Sequence, residues 1–372
     1  MAGAGTGYKW RKFKLHSTCV SRSMDRRNPE PIGEVVDLFC GIGGISSGFK
    51  CAGFKVSAGY DVDESCRYAF ENNNDSRFVN RDVDQISSDE IRSRFTGSRP
   101  TVLVGCAPCQ PFSTYKKGKS DGRWELLTRF AELAVGVDAD YVTMENVAGV
   151  LNYKSGSVFE EFISVLSARY ICSYVIVDCS FYGVPQRRKR LVVIGAKKRK
   201  VTLSPSQRNA EATVKNAISH LPPLTDGETD PLDPMHRASK LSPLNKDRIR
   251  RSVPGGTWRD WPDHLVASCH NKDKGKGYGG VYGRMSWDQP APTITTQCYG
   301  FGNGRFGHPE QDRAISLREA ALLQSFPRDY KFFEPGKFPG FKTVGRWIGN
   351  AVPVALAFNI ANTISLEITS RE

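Results

Sequence analysis

The chain has no second C-x-x-C beside Cys106 and Cys109, no regular cysteine framework and no internal repeat. Ten cysteines in 372 residues without such a framework exclude a small disulfide-stapled fold. One C-x-x-C also falls short of the two pairs that a structural zinc needs. No secretory signal and no apolar run of membrane length stands out, so the expectation is reduced thiols in a cytoplasmic protein. Acidic residues are short relative to basic ones. The 39 Asp and Glu against 52 Lys and Arg leave a formal charge of +13, which suits a polyanionic partner. The length suffices for two domains with their own cores.

What is present begins with Thr101-Val-Leu-Val-Gly-Cys-Ala-Pro-Cys-Gln-Pro-Phe-Ser113. The apolar run reads as a short buried strand and the small, Pro-rich residues after it as a loop. Cys109 is thereby presented at a strand end, where α/β enzymes keep their chemistry, with Pro108 and Pro111 stiffening the turn. A catalytic nucleophile and a thioredoxin-like pair with Cys106 both stay open on this segment alone.

Asp37-Leu-Phe-Cys-Gly-Ile-Gly-Gly44 follows Val35-Val36 and precedes Ile45-Ser-Ser-Gly-Phe49. A strand, a glycine turn and a helix start in that order form a nucleotide-type cofactor loop, in which Gly41 and Gly43 admit close backbone approach. Ser46 stands where G-x-G-x-x-G has its third glycine. About twenty residues on, a second strand ends at Asp61, a carboxylate suited to a ribose diol. A third strand candidate, Arg77-Phe-Val79, leads to Asp82-Val83. For either acid a surface turn is the alternative.

Tyr141-Val-Thr-Met-Glu145-Asn-Val ends a strand in a carboxylate, suited to passing a proton to a ring nitrogen or to a strand-end cap. In Gln186-Arg-Arg-Lys-Arg190, followed by Leu191-Val-Val-Ile194, strand alternation sets Arg188 and Arg190 on one face and Lys189 on the other. Forked guanidiniums there suit phosphate or carbonyl recognition; a solvated charge run is the plain alternative.

Up to about Gly195 strands and helices alternate as in a doubly wound α/β sheet. A Pro-, Gly- and charge-rich stretch then runs to roughly Tyr282. The spacing Ser316 to Glu319 predicts a capped helix, and Pro353 opens a final one. The expected organisation is a basic arm over 1–30, a discontinuous core of 31–200 plus 340–372, and a loop-rich module over 201–339.

These segments together resemble the DNA (cytosine-5)-methyltransferase family of the bacterial restriction-modification type. The resemblance rests on DLFCGIGG, PCQPFS, ENV, QRRKR, RMSWDQPAPTITT from Arg284 and GNAV from Gly349, in family order over roughly residues 35 to 360. It implies a Rossmann-like, S-adenosylmethionine-dependent methyltransferase fold with a smaller target-recognition domain. The implied reaction is methyl transfer to C5 of a flipped cytosine in a short sequence of double-stranded DNA. Cys109 would add to ring C6, Glu145 would bond N3 and the exocyclic amine, Arg190 would contact O2, and Arg188 would hold the site. The Cys109 thiol is expected to show a lowered pKa once substrate is bound.

For the cofactor, the resemblance implies contacts from Phe39, Gly41, Gly43, Asp61, Val62, Asp82, Val83, Pro108, Asn350 and Val352. For DNA it implies Gln110, Ser113, Arg187, Arg284 and Thr293, with Arg284 and Thr293 buttressing the module. Trp258, Arg259, Trp261, His270 and Lys272 are candidate base readers. No metal is implied. A monomer in the bacterial cytoplasm, at the nucleoid, is expected, with any cognate restriction endonuclease acting separately. Two other readings remain: an RNA cytosine-5 methyltransferase, whose tRNA-methylating relatives have a much reduced recognition region, and a non-catalytic DNA-binding protein on the same fold.

Overall fold

The computed structural model describes residues 30–109, 112, 122–204 and 211–370. Seven strands form one sheet: β1 (Glu34–Leu38), β2 (Lys55–Asp61), β3 (Arg77–Asn80), β4 (Thr101–Gly105), β5 (Tyr141–Val147), β6 (Ile171–Asp178) and β7 (Lys189–Ala196). Their spatial order is β3-β2-β1-β4-β5-β7-β6. The first five are parallel, and β7 runs antiparallel to both β5 and β6. From β1 the chain winds outward to β3, then returns to place β4 on the other side of β1. That reversal opens a crevice outside the carboxyl ends of β1 and β4, where sheets of this kind bind ligands.

The main helices are α1 (Gly44–Cys51), α2 (Arg67–Asn74), α3 (Glu125–Val137), α4 (Ser157–Ser167), α5 (Pro243–Arg251), α6 (Leu317–Leu323), α7 (Phe341–Asn350) and α8 (Val354–Thr369). Side-chain alternation splits the strands between two cores. Val35, Val56, Val104, Tyr141, Val192 and Ile194 face α1, α6 and α8. Val36, Ala58, Leu103, Val142, Met144 and Val193 face α3 and α4.

The predicted capped helix is α6, in which Ser316 and Glu319 form a reciprocal capping box. The stretch 341–369 is long and apolar enough to pass for a membrane span, with a mean hydropathy of 1.4 over its most apolar window, a feature the sequence reading overlooks. The chain breaks at 351–353 and 61% of that window is buried, because α8 packs along α1 inside the core.

Between residues 211 and 282 the chain has short helices, 3-10 turns and isolated bridges, as its turn-rich composition predicts. Its own small core joins Leu241, Ile249, Trp258, Trp261, Leu265, Phe301 and Ala314. Among the described residues eight cysteines are free thiols, Cys106 and Cys109 among them.

Candidate active site

Leu38 pairs with Gly105 at the carboxyl ends of β1 and β4, so the glycine loop and the cysteine loop leave the sheet side by side. The chain turns at once after β1, with Phe39 held at φ 66 and Gly43 at φ 88. A Cβ on Gly43 would overlap Asn74 Nδ2, so the turn admits only glycine there. Gly41 N donates to Asp61 Oδ2 at 2.8 Å, and Asp63 N donates to Asp61 Oδ1 at 2.9 Å. Each oxygen keeps a lone pair for a ligand hydroxyl. Burial raises the Asp61 carboxyl.

Beside this cradle Val62 is 64% exposed, a free apolar surface next to the acid. Asn350 ends α7 exposed, while Val352 is buried with its carbonyl against Gly44. Asp82 caps the turn after β3 by accepting from Asp84 N at 3.1 Å. Val83 is turned into the core and only 2% exposed, so its side chain is not on the crevice surface. Phe39 is partly buried in the same core and Pro108 stands half-buried beside Cys109.

The second cluster forms across β5 and β7. Val147 pairs with Arg190 in the antiparallel ladder, which puts Glu145 and Arg190 diagonal to each other on one face. Glu145 is 3% exposed, and its Oε1 lies 2.9 Å from Arg190 Nε. Its Oε2 accepts from Cys106 Sγ at 3.1 Å. Asn146 donates to Ala107 O at 3.1 Å and so ties the end of β5 to the cysteine loop.

Arg188 is buried, donating to Ile294 O at 3.0 Å and Gly349 O at 3.1 Å. Burial, then the neighbouring Arg190, brings its guanidinium down to about 10, and its Nε has no hydrogen-bond partner among the described residues. Lys189 is exposed, as strand alternation predicts. Cys109 lies within electrostatic reach of Arg190, Glu145 and Arg188. Burial raises its thiol in the protein alone, opposite to the lowered pKa expected for the substrate complex. The two arginines pull it down and Glu145 pushes it up.

The remaining expected residues are placed apart from this cluster or outside the described residues. Gln110 and Ser113 lie outside them. Arg187 is exposed, paired with Glu211 at 3.1 Å, and its carbonyl accepts from Thr293 Oγ1 at 2.8 Å. Arg284 is buried, donating to the carbonyls of Ile249, Ser252, His308 and Gln311 and to Asp312. It buttresses the loop module from inside. Trp258, Trp261 and His270 are correspondingly buried, with Trp258 and His270 stacked 4.2 Å apart, and so pack the module instead of facing bases. Arg259 and Lys272 are exposed.

Sequence reasoning passed over two contacts. Asp37, the first residue of the glycine-loop motif, accepts from Ser46 Oγ at 2.6 Å, and burial pushes its carboxyl up to about 8. Cys106 meets Glu145; the C-x-x-C spacing pointed to Cys106, but not to a partner on another strand.

The profile of C-5 cytosine-specific DNA methylases matches residues 33–366. The chain belongs to that family. It is 50% identical over 337 residues to the Type II methylase M.HgiDII of Herpetosiphon aurantiacus, covering 90% of this chain and 95% of that one. To the Type II methyltransferase M.Eco47II of Escherichia coli it is 31% identical over 344 residues, covering 89% and 78%. Among solved structures, a putative DNA modification methyltransferase encoded within an Escherichia coli prophage superposes with a TM-score of 0.69. It shares 24% identity and covers 89% of this chain and 98% of that one. The S. pombe Dnmt2 methyltransferase gives 0.61 at 16% identity, covering 91% and 99%. The fold is thus the Rossmann-like methyltransferase fold, and the chain is a DNA cytosine-5 methyltransferase.

Proposed function

We propose that this methyltransferase modifies one cytosine in a short duplex DNA sequence through a covalent bond between Cys109 and the base. The convergence of Cys109, Glu145 and Arg190 at the carboxyl ends of β4 and β5 carries the reading. Cytosine C5 is a weak nucleophile, so the ring must be activated first. The Cys109 thiolate adds to C6 and pushes electron density onto C5. Glu145, in its acid form, donates to N3 and accepts from the exocyclic amine, which stabilises the enamine. Arg190 contacts O2 and shares the charge that develops on the ring. After C5 is methylated, loss of its proton expels the thiolate and restores the double bond. The target base must leave the stack to enter the site.

The crevice at β1 and β2 fits S-adenosylmethionine. Gly41 has open space where a Cβ would stand, Asp61 keeps lone pairs for ribose hydroxyls, and Val62 offers its side chain to adenine. When bound, this group supplies the methyl. Gly41 and Gly43 let the backbone approach it, with Phe39, Asp82, Asn350 and the backbone of Val83 and Val352 around it. Residues 201–339 form the target-recognition module, supported by their separate small core, and the exposed Arg187 and Arg259 face DNA phosphates. The protein acts as a monomer in the bacterial cytoplasm, beside a separate restriction endonuclease; the Type II designation of its relatives supports the modification role alone.

Tritiated-methyl transfer from S-adenosylmethionine to unmethylated genomic DNA and to bulk tRNA, followed by bisulfite sequencing of the DNA, tests this. Label confined to cytosines in one short DNA context is expected. Label in tRNA alone, or none with cofactor bound, would overturn it.

A further inference from the structure

Glu145 has one partner that the reaction above leaves without a task. Its Oε2 accepts from Cys106 Sγ at 3.1 Å, while Oε1 faces Arg190 Nε at 2.9 Å. Cys106 is the first residue past β4 and three before Cys109. Alternation along β4 turns it to the sheet face that also carries Glu145 and Arg190. The Arg190 contact is an ion pair without hydrogen-bond alignment, since Oε1 has no hydrogen-bond partner among the described residues. A Glu carboxylate held at one oxygen turns readily about its last torsion, whose wells are broad and two-fold. A donor at the second oxygen removes that freedom.

We propose that Cys106 is a positioning residue for the methyl-transfer reaction, its S–H fixing the Glu145 carboxyl plane so that both oxygens meet the N3 and amine edge of the target cytosine. The assignment rests on Glu145 being the residue that meets the base. Burial, then the Glu145 carboxylate, hold the Cys106 thiol well above its ordinary range, so it remains a donor at neutral pH. The other groups facing this cluster are Cys109 on the same loop, Cys179 after β6, and Arg188 and Arg190 on or beside β7. Burial pushes Cys179 up to about 12, so it adds no negative charge at neutral pH. Arg190 holds one oxygen, and Cys106 supplies the hydrogen bond to the other.

The test compares Cys106→Ala and Cys106→Ser with the intact enzyme in single-turnover methyl transfer at neutral pH. Melting and S-adenosylmethionine binding serve as folding checks. Cys106→Ala is expected to slow transfer roughly tenfold, the weight of one hydrogen bond to a charged group, with cofactor affinity unchanged. Cys106→Ser, whose hydroxyl donates to the same oxygen, restores most of the rate. Equal slowing in both variants would mean that the sulfur only fills space, and overturns the proposal. A Cys106→Ala enzyme of normal rate, beside an inactive Glu145→Gln, overturns the role of Cys106 alone. A fully active Glu145→Gln overturns the assignment of Glu145 and that of Cys106 with it.

Discussion

Arg190 stands opposite Val147 in the β5–β7 ladder and lies 2.9 Å from Glu145, so a cation from one strand serves a carboxylate two residues along the next. Both side chains are nearly buried, at 10% and 3% exposure. Arg190→Ala leaves Glu145 without its counter-ion, a loss of about 3–5 kcal/mol of stability for a buried pair. It also removes a donor from the developing charge, worth about 100-fold or more in rate. Arg190→Lys, with charge but no fork, should fall between. Melting and single-turnover rates check this; an Arg190→Ala enzyme with unchanged rate would confine Arg190 to a structural part.

Cys109→Ser should abolish turnover and leave S-adenosylmethionine binding intact, since the sulfur acts on the base and the glycine cradle is built from β1 and β2. Iodoacetamide titration with and without DNA reads the thiol directly. Burial raises it in the free protein, so reactivity should be slow without DNA and rise when DNA is bound. Identical reactivity in both states would count against activation by substrate.

The parallel strands along the chain and both loops at their carboxyl ends were legible because each motif starts where an apolar run stops. The alternation Arg188-Lys189-Arg190 likewise gave the correct faces from the period of a strand alone. Glu145 meeting Cys106 was not legible, because β4 and β5 become neighbours only when the sheet closes, 39 residues apart in the chain. In the loop module the aromatics misled. Trp258, Trp261 and His270 looked like recognition residues, yet a module without a sheet of its own has few other side chains large enough to build a core. Arg284 was placed on the DNA side as a buttress of the module by resemblance, and the carbonyls that take up its donors are ones that no sequence pattern marks.

That arginine gives a sharp prediction. Arg284→Ala strips partners from buried carbonyls of Ile249, Ser252 and His308 at once, so it should lower the melting temperature and DNA affinity together. If the variant melts like the parent and loses only DNA affinity, Arg284 contacts DNA.

Acid stability should depend on His308 and Glu319. His308 Nδ1 accepts from Glu310 N at 3.2 Å and Gln311 N at 3.0 Å, and burial lowers the ring from 6.5 to about 4. Its folded value is depressed, so its contribution is complete above 6.5 and is lost as pH falls through about 4. Burial alone would raise Glu319, but hydrogen bonds from Arg313 at 2.7 and 2.8 Å prevail and bring it from 4.5 to about 2. Its contribution is lost as pH falls from 4.5 toward that value. Denaturant unfolding of His308→Asn against the parent should show the difference shrinking between these limits. A difference constant with pH would mean that the ring does not titrate there.

Asp37 carries the opposite sign. Its Oδ2 accepts from Ser46, its Oδ1 has no hydrogen-bond partner among the described residues, and burial lifts the carboxyl from 3.8 to about 8. The folded chain keeps a proton that the unfolded chain has already released, so its contribution is full below 3.8 and is lost as pH rises through about 8. Asp37→Asn holds the neutral shape throughout and accepts the same Ser46 bond. The parent should therefore lose up to about 1.4 kcal/mol per pH unit relative to the variant within that window, with no further divergence above it. Because Ser46 lies in the first turn of α1 under the glycine cradle, S-adenosylmethionine binding should survive the substitution. Parallel stability curves for the two proteins across the window would mean that Asp37 is ionised in the fold, with its Oδ1 satisfied by a group that the substitution also satisfies.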